Sequence, residues 1–157
     1  MQWSEVIDNP YLKDLPFKIE LNRYGKVEMT PASNKHGRLQ SFISALLERK
    51  LKKGVTLTEC SVQTTEGVKV ADVAWCSNTF IKQYGYQTPY SDAPELCIEI
   101  VSPSNSKEEM LNKAQLYLQA GANEVWIVWE SGIIDYYDKT GKLEQSGYGI
   151  RVKIPAN

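Results

Sequence analysis

The stretch that decides the fold is Glu95-Leu96-Cys97-Ile98-Glu99-Ile100-Val101-Ser102-Pro103-Ser104. An apolar run of this length, ended by Ser-Pro-Ser, reads as a strand. Residues two apart share a face, so Glu95, Cys97, Glu99 and Val101 lie opposite Leu96, Ile98 and Ile100. Just downstream, Ser106 and Glu109 have the spacing of a capping box, which starts a helix that runs to about Ala120 and stops at Gly121. Glu124-Val125-Trp126-Ile127-Val128-Trp129 follows as a strongly apolar, central strand.

Upstream, the helical period appears at Leu39, Phe42, Ile43, Leu46, Leu47 and Leu51, giving a helix from about His36 to Gly54. Val55–Cys60 and Val68–Trp75 read as strands around a Thr64–Gly67 turn, and Ser77–Gln83 as a short helix. Gly85–Pro94, rich in tyrosine and proline, is a loop and a candidate contact surface through Tyr84, Tyr86 and Tyr90. At the N-terminus, Ser4–Leu12 forms a helix, and Phe17–Leu21 with Val27–Met29 a hairpin turning at Gly25. Ile133–Tyr137 and Lys142–Gln145 make a last hairpin. The order implies a mixed sheet with helices, of α/β or α+β class.

The chain has 157 residues, 18 Lys+Arg against 19 Asp+Glu, and a net charge of −1. That is enough for one domain with a buried core. Neither an apolar run of membrane-spanning length nor a basic-then-apolar leader is visible, so no membrane is expected and the expected location is the cytoplasm. Cys60, Cys76 and Cys97 lie far apart with no Cys-x-x-Cys, which suits buried reduced thiols. With His36 as the single histidine, a His-rich zinc centre is excluded. Any chemistry must come from carboxylates, lysine or hydroxyls.

Three residues stand out. Glu99 is a charge inside the most apolar strand, and Asp72 interrupts Val-Lys-Val-Ala-Asp-Val-Ala-Trp, where aspartate is a poor strand former. Lys113 lies on or beside the apolar stripe of Met110, Ala114, Tyr117 and Leu118. If the helix folds over the face that carries the two acids, Lys113 can reach them. Two carboxylates suit a hard cation such as Mg²⁺, and a lysine beside them orients a water and offsets charge on phosphate. Phosphodiester hydrolysis would be the result.

At these residues the sequence resembles the Uma-type family of restriction endonuclease-like proteins, in the PD-(D/E)XK nuclease superfamily. The matching features run in order over most of the chain. They are Ile19-Glu20-Leu21 before Gly25, Pro31-Ala32-Ser33-Asn34-Lys35-His36, Ala71-Asp72-Val73, Glu99-Ile100-Val101-Ser102-Pro103-Ser104, and Lys113, Tyr117, Gly121, Glu124 and Trp126 at fixed spacing. The last two are specific in combination. The resemblance implies a restriction-endonuclease-like mixed sheet flanked by helices with an N-terminal β-hairpin. It implies a single domain over 1–157, with helix and hairpin in 1–33 and a nuclease-like core in 34–157. Asp72 and Glu99 would be ligands of Mg²⁺ or Mn²⁺, Lys113 the catalytic lysine, and DNA the nucleic-acid partner. The superfamily's usual lysine lies two residues after the glutamate, which here is Val101. The family places it on the next helix instead.

Four residues carry less weight. Glu20 is an additional acid for the metal or, better, an exposed hairpin residue. His36 caps or packs at a helix start. Gln115 and Tyr117 orient the lysine or touch phosphate, although core packing suits Tyr117 better. A homodimer built through the tyrosine loop or the last hairpin fits the pattern. Two alternatives stay open: a catalytically inactive binding or assembly module, and acid/base chemistry on sugars by Asp72 and Glu99.

Overall fold

The computed structural model describes residues 1–155; the last two residues of the expected 34–157 core lie outside it. Two sheets organise the chain. The strands β1 (Phe17–Leu21) and β2 (Val27–Pro31) form an antiparallel hairpin. A six-stranded mixed sheet contains β3 (Gly54–Thr64), β4 (Gly67–Ser77), β5 (Leu96–Ile100), β6 (Glu124–Val128), β7 (Ile134–Asp138) and β8 (Gly141–Leu143), in that spatial order. Only β5 and β6 pair in parallel, and the helix α4 (Lys107–Gln119) makes the crossover that a parallel pair requires. Every residue of β5 and of β6 is buried, as expected of strands covered on both faces.

The remaining helices are α1 (Trp3–Asp8), α2 (Asn34–Lys50) and α3 (Asn78–Tyr84). The α2 stripe, Leu39, Ile43, Leu46 and Leu47, packs on Val73, Trp75, Leu96, Ile98, Ile100 and Trp126. On the opposite face, Phe80 of α3 and Met110, Ala114 and Tyr117 of α4 cover Ala74, Cys76, Cys97, Val125 and Ile127. A third cluster joins Trp3 and Val6 of α1 to Leu21, Val68 and Val70, and docks the hairpin on β4.

The mixed α+β architecture expected from the sequence is present, with small differences at the ends. The first helix stops at Asp8 rather than Leu12, because Pro10 disfavours the helical conformation at Asn9, whose ψ is 115°. α2 starts earlier than His36, since Ser33 Oγ accepts the His36 N–H and serves as its N-cap. α4 has the capping box of Ser106 and Glu109. Gly67 (φ +92°) lets β4 begin under the hairpin, where a Cβ would lie 2.3 Å from the Leu21 carbonyl oxygen.

Candidate active site

Asp72 stands on β4 and Glu99 on the neighbouring β5, both interior strands, and the two residues are 0% and 1% exposed. Burial of a carboxylate without partners is costly, and each has several. Asp72 Oδ2 accepts the Ile100 N–H at 2.7 Å. Its Oδ1 takes the Lys18 ammonium at 3.1 Å and lies 3.2 Å from His36 Nε2. Glu99 Oε1 accepts the Tyr117 hydroxyl at 2.7 Å, while Oε2 takes Lys18 Nζ at 2.9 Å and lies 3.6 Å from Lys113 Nζ. One oxygen from each acid therefore converges on a single point, and a cationic nitrogen stands there.

Four elements deliver the partners. Lys18 and Glu20 share one face of β1, two residues apart. Glu20 is 6% exposed, which corrects the expectation of an exposed hairpin residue. Its Oε2 accepts the Val70 N–H at 2.7 Å and its Oε1 lies 2.9 Å from Lys113 Nζ, so the hairpin is tied at once to β4 and α4. His36, on the first turn of α2, reaches Asp72 because its own backbone N–H is fixed by the Ser33 cap; a lesser candidate expected more to cap or pack than to catalyse, it contacts the acid directly. Tyr117 both packs in the core and holds Glu99. Gln115 does not belong to the group: it is exposed, on the side of α4 that faces Tyr137 and Lys142.

Two contributors escape the sequence. Lys18 was legible only as the strand-face neighbour of Glu20, and alternating Lys and Glu in a hairpin look like a solvated face. Gln40 of α2 donates to the Asp72 backbone carbonyl at 2.8 Å and to Glu59 Oε1 at 2.7 Å. Glu59 faces Asp72 across the β3–β4 register with φ +53°, a left-handed conformation rare for glutamate. The Gln40 bond to the Asp72 carbonyl satisfies the backbone where the ladder pairing skips this position.

The electrostatics separate the two acids. Burial pushes Asp72 up, but the Lys18 ammonium, His36 and the Ile100 N–H outweigh it and hold the carboxyl well below the usual range. Burial raises Glu99, and Lys113 and Lys18 do not fully offset it, with Asp72 and Glu20 adding to the rise. Burial also raises Glu20, yet Lys18, Lys113 and the Val70 N–H bring it below the ordinary value. For Lys18, burial acts downward and Glu99, Asp72 and Glu20 more than reverse it. The hydrogen bond to Asp72 raises His36 against its partial burial.

The pair opens into a cavity of about 390 Å³ lined also by Phe17, Thr30, His36, Ser102, Asn105 and Lys113. Two oxygens converging on a point that already accepts a cation fit a hard divalent ion. Among the described residues no three His, Cys, Asp or Glu side chains are grouped as ligands. Water and substrate oxygens would have to complete the shell, as is usual for Mg²⁺. The sugar-hydrolase alternative needs two facing acids with space between them, and here both acids share one lysine.

Comparison with known proteins gives a consistent picture. The profile of a family described as "Uma2: Putative restriction endonuclease" matches residues 10–151, which include every residue of the cluster. A crystal structure described as "a putative nuclease belonging to DUF820 from Anabaena variabilis ATCC 29413" superposes with a TM-score of 0.72 at 18% identity, over 93% of this chain and 82% of that one. Likeness at that identity is likeness of fold. None of the curated proteins matches the chain.

Proposed function

The chain belongs to the Uma2 family, and from that premise we propose that it is a divalent-metal-dependent endonuclease hydrolysing phosphodiester bonds in DNA. The observation that carries this reading is the convergence of Asp72 Oδ1 and Glu99 Oε2 on one cationic point, with Lys113 beside it. Asp72 and Glu99 would hold the ion. A bound Mg²⁺ or Mn²⁺ supplies a water of lowered pKa and neutralises charge developing on the phosphate.

The chain's own groups do the rest. The Ile100 N–H and His36 fix Asp72, and Tyr117 fixes Glu99, so neither acid has to reorganise. Glu20 holds the Lys113 ammonium 2.9 Å away and within 3.6 Å of Glu99. From there it orients the attacking water and offsets negative charge on the phosphate. A homodimer would present two such sites, one for each strand of a duplex. The three buried free cysteines suit a reducing cytoplasm.

A nicking and linearisation assay on supercoiled plasmid tests the reading. Cleavage is expected with Mg²⁺ or Mn²⁺, none with EDTA, and none from Asp72→Asn or Glu99→Gln with the fold intact by circular dichroism. Cleavage by those variants at the wild-type rate would end it. The second reading, a non-catalytic binding or assembly module, has one observation in its favour: the Lys18 ammonium already bridges both acids. A protein that binds DNA without cutting it under any divalent ion would support that reading instead.

A further inference from the structure

We propose that Lys18 is a built-in, exchangeable counter-ion that occupies the metal position between Asp72 and Glu99 and must be displaced for a divalent ion to bind. The inference rests on the proposed metal-dependent reading. Lys18 Nζ lies 3.1 Å from Asp72 Oδ1 and 2.9 Å from Glu99 Oε2, the two oxygens that would bind the ion. Mg²⁺ sits about 2.0–2.1 Å from its oxygen ligands. An ammonium and a divalent ion therefore cannot share the point, by size or by charge.

The rest of the cluster shows why this lysine moves and the other stays. Lys113 is held by Glu20, which is itself pinned by the Val70 N–H. Among the described residues Lys18 has no carboxylate partner within salt-bridge distance beyond the two ligands themselves. Its side chain is 11% exposed and lines the cavity of about 390 Å³, so the ammonium has space to swing away from the strands. With Lys18 in place, three carboxylates face two ammonium groups and His36, and the buried charge is nearly balanced before any ion arrives. Metal affinity then measures a competition between two cations rather than the carboxylates alone.

The test is Mn²⁺ titration by calorimetry of wild type, Lys18→Met, Lys18→Gln and Lys18→Arg, each checked for fold in EDTA. Lys18→Met and Lys18→Gln should bind Mn²⁺ about tenfold or more tighter than wild type, and Lys18→Arg, which keeps the competing charge, should not. If Lys18→Met loses its fold without metal, Lys18→Gln carries the comparison, since its amide still donates to a carboxylate. Equal or weaker binding by the neutral variants overturns the counter-ion role and leaves the metal site standing. Absence of Mn²⁺ binding in wild type and all variants overturns both.

Discussion

The Glu20 carboxylate joins three elements: it stands on β1, accepts the Val70 N–H of β4 at 2.7 Å, and meets Lys113 of α4 at 2.9 Å. Its neutral isostere separates these roles. Glu20→Gln keeps an acceptor for Val70 but removes the charge that holds Lys113. Plasmid cleavage should fall about 10–100-fold, as for groups that orient a catalytic residue. Stability by urea denaturation should fall by about 1–3 kcal/mol. Unchanged cleavage would show that the Glu20 charge is not needed to place Lys113. Tyr117→Phe should cost about 1–2 kcal/mol, because Glu99 Oε1 loses its donor in a buried place; an unchanged urea midpoint would mean the bond contributes nothing. Asp72, Glu99 and Lys113 were legible from the sequence because each is a charge in an apolar pattern. Lys18 was not, and Glu20 only as a lesser candidate expected to be exposed, because burial of a hairpin face is decided by what docks on it, and that contact lies far away in the chain.

The β5–α4–β6 unit was readable almost to the residue, since its signals are local: alternation, a capping box and a stop at Gly121 (φ +117°). Ser106→Ala should therefore lower stability by about 1 kcal/mol, read in the same denaturation experiment. The hairpin's docking on β4 depends on Leu21, Val68 and Val70 meeting α1, and no short-range pattern announces it. The strands β3 to β5 also carry the three thiols, all buried. Burial pushes the Cys76 thiol up to about 12, and raises Cys60 and Cys97 as well. In the unfolded chain these thiols ionise near pH ~8.5 while the folded ones keep their protons. The folded state then binds more protons, so stability falls as pH rises from ~8.5 toward the folded values. The urea midpoint should drop between pH 7.5 and 10, and drop less in Cys97→Ala. A drop of the same size in that variant would assign the alkaline loss to other groups.

At the scale of the molecule, three clusters of apolar side chains leave the acidic pair where β4 and β5 meet the hairpin and two helices. The loop tyrosines divide in an unexpected way: Tyr86 is 67% exposed, but Tyr90 is buried against Phe80 and Tyr84. Tyr86 is the most exposed of the three, while Tyr84 is half-buried with its hydroxyl on Asp92, so Tyr86→Ser is the variant for testing the proposed homodimer through this loop by light scattering. A mass unchanged from a dimeric wild type would remove the loop from the interface. The proposed role of Asp72 and Glu99 in holding a divalent ion can be read from the anomalous density of crystals soaked in Mn²⁺. One peak bonded to Asp72 and Glu99 is expected, with the Lys18 ammonium moved off it. Lys18 still bridging the two carboxylates at saturating Mn²⁺, with no peak between them, would contradict that role.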